Sequence, residues 1–338
     1  MLEILREVQG GGKMTASEPL VKIERLKKHF SSRKQFLGGE PKTVKAVDDV
    51  SFEIARGETL GVVGESGCGK STLGRAILRL HEPDSGKITY DGVDLLSLNH
   101  NEMRNYRQKM QIIFQDPYAS LNPRMTVKEL ICASLDVFNI GSKNERIDMV
   151  LDIMEKVGLP LEYLNRYPHE FSGGQRQRIM IARALILNPD FVVGDEPVSA
   201  LDVSVRAQVL NLMKDLQQEL SLTYLFISHD LSVVRYLCDR ILVMYLGKVM
   251  EIASKDELYS NAQHPYTQAL LSSIPIPDVN ANGRRIRLAG DVPSPFNPPS
   301  GCRFHTRCAY ARPECSQCEP ELKDLGSGHM VACHLCKN

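Results

Sequence analysis

The chain has 338 residues, 43% apolar and 24% charged, which excludes a disordered or collagen-like polymer. Its 41 Lys and Arg balance 41 Asp and Glu, so it lacks the basic excess of a protein built to grip nucleic-acid phosphates, and no nucleic-acid partner is expected. No run of about 18 apolar residues is present to span a membrane. At roughly 150 residues per domain, the length fits two units or one large α/β domain with an appendage.

The opening MLEILREVQGGGKMTASEPL lacks the basic start and apolar core of a secretory signal, so a cytoplasmic location is expected. Residues 1–19 read as a disordered tail, with Met1 or Met14 as the start. VKIERLKKHF (21–30) and VDDVSFEIARG (47–57) alternate apolar and polar residues, as half-exposed antiparallel strands do. Five short runs read as buried parallel strands: Thr59–Val63, Gln111–Phe114, Phe191–Val193, Thr223–Ile227 and Ile241–Met244. Helices are predicted near 126–138 and 144–157. Residues 125–166, an insertion of about 40 residues, are too long for a plain loop, so a helical subdomain spanning about 116–180 is expected to project from the sheet. Eight of the 18 prolines fall in residues 271–338, marking an irregular, turn-rich tail. No internal repeat is present.

The string GESGCGKS (64–71) follows the strand Thr59–Val63 and matches G-x-x-x-x-G-K-[ST]. Gly64, Gly67 and Gly69 let the backbone curl so that the N–H groups of Glu65, Ser66, Cys68 and their neighbours point at phosphate oxygens. Lys70 reaches the β- and γ-phosphates, and the Ser71 hydroxyl is suited to Mg²⁺. The helix predicted over Ser71–Leu80, with Thr72 in its first turn, adds its N-terminal dipole. Cys68 reads as a bystander. The alternative, a Gly-rich surface loop, does not account for the flanking strand and helix.

The run Phe191-Val192-Val193-Gly194 ends in Asp195-Glu196. A buried strand ending in two carboxylates delivers them to the edge of the sheet beside the phosphates. Asp195 suits a Mg²⁺ ligand and Glu196 a general base for the attacking water. Without the upstream glycine loop, an edge charge pair would be the default.

At FSGGQRQR (171–178) the sequence resembles the signature motif of ABC-type ATPases, with Phe171 where the family usually has Leu. Ser172, Gly173, Gly174 and Gln175 open a helix predicted through Leu187, whose N-terminus would face an anion. A generic capped helix is the plainer reading of S-G-G alone. The resemblance extends to Gln115 as the Q-loop residue and Mg²⁺ neighbour, to Ser199–Asp202 as the D-loop, to His229 as the switch histidine, and to Phe30 as the aromatic that stacks on adenine. As an aromatic near a strand end, Phe30 fits a core role equally. The resemblance implies an α/β cassette with a mainly parallel core sheet, an antiparallel β subdomain and a helical insertion, spanning 20–262. It also implies that ATP is held between this chain's phosphate loop and a partner cassette's signature, with Glu196, His229 and Gln115 catalytic.

IFQDPYASLNPRMTV (113–127) and DEPVSALDVSVRAQVL (195–210) narrow the resemblance to ATPase subunits of oligopeptide and dipeptide importers. His264-Pro265-Tyr266-Thr267 and GCRFHTRC (301–308) bound a C-terminal extension, taken as 263–338. Related nickel and sugar importers share much of this wording. The second, F-type, subunit fits best. The implied partners are a second related ATPase subunit, two membrane permeases and, indirectly, an extracellular peptide-binding protein, with this chain peripheral on the cytoplasmic face of the membrane. DNA-repair relatives would carry a long coiled coil, yet only about 55 residues separate Gln115 from Ser172. Translation relatives would carry two cassettes. A non-hydrolysing scaffold would lack Lys70, Glu196 or His229, and all three are present.

Six of the nine cysteines lie in the last 37 residues: Cys302, Cys308, Cys315, Cys318, Cys333 and Cys336. In a cytosolic chain such crowding points to metal. The pairs Cys315/Cys318 and Cys333/Cys336 have the C-x2-C spacing of zinc sites. The resemblance implies instead that Cys302, Cys308, Cys315 and Cys333 hold a [4Fe–4S] cluster. Metal-free thiols or disulfides are the third reading. Because the tail is far in sequence from every phosphate-contacting residue, its role is expected to be structural.

Overall fold

The computed structural model describes residues 18–31, 43–274, 286–288 and 290–336. The expected disorder at 1–17, the segment 32–42 and the prolines at 275 and 277 lie outside the described residues.

Strands β1 (Val21–Ser31) and β2 (Thr43–Ile54) pair antiparallel, with Phe30 opposite Val44. The second strand starts four residues before the predicted 47–57 and ends three residues short of it, because Gly57 (φ 72°) turns the chain into β3 (Thr59–Val63). Helix α1 (Lys70–Ile77) follows the glycine loop and stops short of Leu80, because Arg79 adopts a left-handed conformation (φ 49°). Then come β4 (Ser85–Tyr90), β5 (Val93–Asp94) and α2 (His100–Lys109). Strand β6 (Met110–Ile113) sits one residue earlier than predicted. The capped helix α2 feeds straight into it, and its last partnered residue is Ile113, opposite Gly194, so Phe114 leaves the ladder.

The insertion holds α3 (Pro117–Ser120), α4 (Val127–Phe138) and α5 (Lys143–Lys156), and leads into α6 (Gly173–Leu185). Thr126 with Glu129 and Ser142 with Glu145 form capping boxes that fix the starts of α4 and α5. β7 (Phe191–Asp195), α7 (Val203–Leu220), β8 (Thr223–Ile227), α8 (Leu231–Leu237) and β9 (Arg240–Tyr245) complete the parallel core. Leu246 (φ 44°) and Gly247 (φ 81°) make the positive-φ turn into β10 (Lys248–Ser254), a strand the apolar-run reading passes over. Helices α9 (Lys255–Asn261), α10 (Pro265–Ser272) and α11 (Pro313–Gln317) and strands β11 (Lys323–Asp324) and β12 (Met330–Val331) follow.

Two sheets result, a four-stranded antiparallel one in the order β2-β1-β4-β5 and an eight-stranded one in the order β11-β12-β10-β9-β3-β8-β7-β6. In the large sheet the strands from β9 to β6 run parallel. Successive residues of β8 go to opposite faces: Tyr224 and Phe226 pack with the helical insertion, Leu225 and Ile227 with the antiparallel sheet. Both faces are covered, which is why these strands read as unbroken apolar runs. Burying each such side chain contributes about 1.5–3 kcal/mol.

The tail is less irregular than expected, because β12 pairs with β10 and extends the large sheet. Buried polar contacts also pin it. Arg303 donates to Asp48 of β2 at 2.5 Å, and His329 lies 2.7 Å from the fully buried Glu251 of β10. Phe304 packs edge-on against Tyr245 and tilted against Tyr266.

Candidate nucleotide-binding and hydrolysis site

The loop between β3 and α1 is shaped by three glycines with positive φ: 151° at Gly64, 77° at Gly67 and 109° at Gly69. At Gly69 a Cβ would lie 1.9 Å from the carbonyl oxygen of Ala46, so both conformation and space demand glycine. Lys70 is buried, and its Nζ donates to the carbonyls of Gly64 (2.8 Å) and Glu65 (3.1 Å). The side chain thus folds back over the loop it serves. Cys68 is buried beneath the loop, and burial pushes its thiol up, away from reactive thiolate character.

The Ser71 hydroxyl donates to Oδ1 of Asp195 at 2.6 Å, and Arg75 Nη2 donates to Oδ2 at 3.2 Å. Asp195 is buried, so these partners offset the cost of desolvating it. Arg75 has no counterpart in the motif reading; its only sequence signal is its place one turn after Ser71 on the same helix.

Glu196 gathers the remaining predicted groups. Its Oε2 accepts from Gln115 Nε2 at 3.1 Å and lies 3.0 Å from His229 Nδ1. The residue has φ 50°, an unusual conformation held by its N–H bond to Ile227 O. The order β6-β7-β8 makes the convergence possible: Gln115, Glu196 and His229 each lie just past the C-terminal end of adjacent parallel strands.

These groups surround one open cavity of about 600 Å³. Ser66, Gly67, Lys70, Ser71 and Thr72 line its floor, Gln115, Glu196 and His229 one wall, and Phe30 with Val44 and Ala46 the other. Phe30 is 39% exposed, with His81 against its edge at 5.4 Å, so it is a surface platform at the cavity rim rather than a core residue.

Other predicted residues lie elsewhere. Ser172, Gly173, Gly174 and Gln175 do not line this cavity. They open α6, where Ser172 and Gln175 form a reciprocal capping box and Gly174 lets Val205 of α7 approach. Asp202 is exposed at the N-cap of α7 without capping it. Glu65 faces away from the cavity. Its carboxylate meets Arg307 Nη1 at 2.8 and 3.0 Å, and its N–H donates to the Tyr266 hydroxyl at 2.9 Å. The expectation that the Glu65 N–H points at a phosphate oxygen is therefore corrected: it is committed to Tyr266, in a tail far away in sequence that the fold brings back to the loop.

In the tail, burial first, and then the neighbouring thiols of Cys333, Cys315 and Cys308, push the Cys302 thiol up to about 11. Cys302 and Cys315 are buried, Cys308 and Cys333 partly so, and the Cys302 N–H donates to Cys315 O. Cys318 is exposed, and the nine cysteines are free thiols. Among the described residues, no group of three or more His, Cys, Asp or Glu is drawn together tightly enough to hold a metal ion.

Residues 47–199 match the ABC transporter family model, and residues 250–315 match that of the oligopeptide/dipeptide transporter C-terminal region. The chain is 53% identical over 319 residues to the dipeptide transport ATP-binding protein DppF of Escherichia coli, covering 94% of this chain and 95% of that one. It is 53% identical over 327 residues to the oligopeptide transport ATP-binding protein AppF of Bacillus subtilis, covering 95% and 99%. A solved ATP-binding cassette in a dimeric post-hydrolysis state, bound to ADP and Pi, matches with a TM-score of 0.62 at 29% identity, covering 70% of this chain and 98% of that one. No helix among the described residues is long and apolar enough to cross a membrane. With a phosphate loop, a carboxylate cluster beside it and this C-terminal region in one chain, the protein belongs to the ABC transporter ATPases, as an ATP-binding subunit of the oligopeptide/dipeptide transporter type.

Proposed function

We propose that this ATPase is the energy-coupling subunit of an importer for oligopeptides or dipeptides. The observation that carries the reading is the union, in one chain, of the Gln115–Glu196–His229 cluster facing Lys70 and Ser71 with the C-terminal region at 250–315. The domains are assigned as 20–262 for the cassette, with its helical subdomain at 116–180, and 263–338 for the extension.

In this mechanism two cassettes sandwich two ATP molecules. Each ATP lies between the loop Gly64–Thr72 of one chain and the Ser172–Gln175 segment of the other, with Asp202 beside the seam. The separation of Ser172–Gln175 from this chain's own cavity supports an arrangement in which a partner supplies it. Lys70 binds the phosphates, Phe30 stacks on adenine and Glu196 takes a proton from the attacking water. Gln115 and His229 hold the Glu196 carboxylate in place. The oxygens of Ser71, Asp195 and Gln115 fit Mg²⁺, a hard cation that would neutralise phosphate charge.

The partner cassette is assigned as a related but different chain, working with two permeases and, through them, an extracellular peptide-binding protein, on the cytoplasmic face of the membrane. The coupling surface is placed at Asp116–Val127 and the helical insertion. There a groove of about 650 Å³, lined by Arg124, Lys128, Cys132 and Arg146 among others, offers a seat for a permease loop.

For the tail we propose a [4Fe–4S] cluster on Cys302, Cys308, Cys315 and Cys333. Cys302 and Cys315 are buried and Cys308 and Cys333 partly so, with the Cys302 N–H held by Cys315 O, whereas Cys318 of a C-x2-C pair is exposed; this supports the four named cysteines over the C-x2-C pairs. When bound, it would cross-link a scaffold poor in regular structure.

Reconstitution in vesicles with the adjacent permeases, second ATPase and binding protein tests the transport reading. Dipeptides and pentapeptides should stimulate ATP hydrolysis and enter the vesicles. Uptake of nickel or a disaccharide alone would overturn the peptide assignment.

A further inference from the structure

Glu65 places a carboxylate within the phosphate loop, where an anion would repel the substrate. Every polar group of this residue is held. Its carbonyl accepts from Lys70 Nζ and from the Cys68 N–H, and its N–H donates to the Tyr266 hydroxyl. Its carboxylate receives two contacts from Arg307 Nη1, at 2.8 and 3.0 Å. Tyr266 and Arg307 both belong to the extension, 201 and 242 residues further along the chain.

Arg307 is itself held in place. Its side chain is only 8% exposed, and Nη1 lies 3.5 Å from the Tyr245 hydroxyl, whose ring packs on Phe304 and Tyr266. The pair sits in a cleft with Ala269, Leu270 and Ser273, on the far side of the loop from the nucleotide cavity. A partly buried, charge-assisted contact of this kind neutralises the carboxylate and fixes its direction.

We propose that Arg307 is a positioning residue for ATP binding: it draws the Glu65 carboxylate out of the phosphate cradle and cancels its charge, so that the extension sets the affinity of the phosphate loop for nucleotide. The inference rests on the reading of Gly64–Thr72 as the phosphate site, and it does not depend on what the tail cysteines bind.

The test is a double-mutant cycle on the full chain, reading ATP affinity by titration calorimetry and the KM and kcat of the assembled transporter. Arg307→Ala should raise Kd and KM for ATP about tenfold and leave kcat within about twofold, because the freed carboxylate acts on binding rather than on water attack. In a Glu65→Gln background the same Arg307→Ala change should cost less than about twofold, since no anion remains to be neutralised. An equal cost in both backgrounds would make Arg307 a mere support of the tail, and no cost in the wild-type background would remove the role altogether. If Arg307→Ala fails to fold, the same cycle with Arg307→Gln carries the same two outcomes. Lys70→Ala is the control for the underlying site: if it left ATP affinity unchanged the phosphate-site reading would fail, whereas a flat cycle with a sensitive Lys70 would sink only the Arg307 proposal.

Discussion

His229 Nδ1 lies 3.0 Å from Glu196 Oε2, the same oxygen that accepts from Gln115 Nε2. Two groups from neighbouring strand ends thus aim one carboxylate at the cavity, while Glu196 itself adopts φ 50°. Glu196→Gln keeps the shape and hydrogen-bonding capacity but removes the basic oxygen. ATP binding should persist and phosphate release by the assembled transporter should fall at least about a hundredfold. Undiminished turnover would refute the general-base assignment.

Gly69→Ala tests the loop's geometry. The new methyl would meet the Ala46 carbonyl oxygen at 1.9 Å in a backbone with φ 109°. The expected outcome is a loss of about 2 kcal/mol or more in urea unfolding, together with weakened ATP binding. A variant with wild-type stability and affinity would mean that the loop is not so constrained.

Single cysteines placed at Tyr118 or Arg124 probe the coupling surface. Tyr118 is 71% exposed, and its ring stacks 3.8 Å from the Arg176 guanidinium, on the first turn after Gln115. Bifunctional crosslinks from these positions should reach a permease loop. Crosslinks confined to the opposite cassette would move the coupling surface elsewhere.

His264 supplies a pH signature. It is buried at the N-cap of α10, where Nδ1 accepts from the Tyr266 N–H and Nε2 has no hydrogen-bond partner among the described residues. Burial drives its pKa down to about 3. Below the ordinary pKa of about 6.5 the unfolded chain therefore takes up a proton that the folded chain refuses. Stability is full above that value and declines as pH falls toward 3, by up to about 1.4 kcal/mol per unit. Chemical unfolding at pH 7, 6 and 5 should show this decline flattened in His264→Asn. Parallel curves for the two proteins would contradict it.

Anaerobically purified protein should be brown, with broad absorbance near about 400 nm that dithionite bleaches. Cys302→Ser should abolish the colour, whereas Cys318→Ser, at an exposed position, should keep it. Colourless anaerobic protein would remove the cluster, and stoichiometric zinc would favour the C-x2-C pairs.

The strand Thr59–Val63, the glycine loop and helix α1 are contiguous, and they were legible because each is encoded locally. Apolar continuity marks a strand covered on both faces, and glycines with positive φ mark the curl between it and the helix. The same holds for Asp195-Glu196, and for Ser172 with Gln175, whose reciprocal cap spans three residues. Periodicity fails where partners, rather than pattern, define an element. Thus β10 owes its place to a two-residue turn and to β9, and β12 exists by pairing with β10 on one side and β11 on the other. Tertiary structure alone decided that Gln115 and His229, 81 and 33 residues from Glu196, share one of its oxygens. It also brought Arg307, in a tail that reads as remote, onto the carboxylate of Glu65. A charge pair across 242 residues leaves no periodic trace, because its partners meet only after the sheet order and the path of the tail have been set by packing.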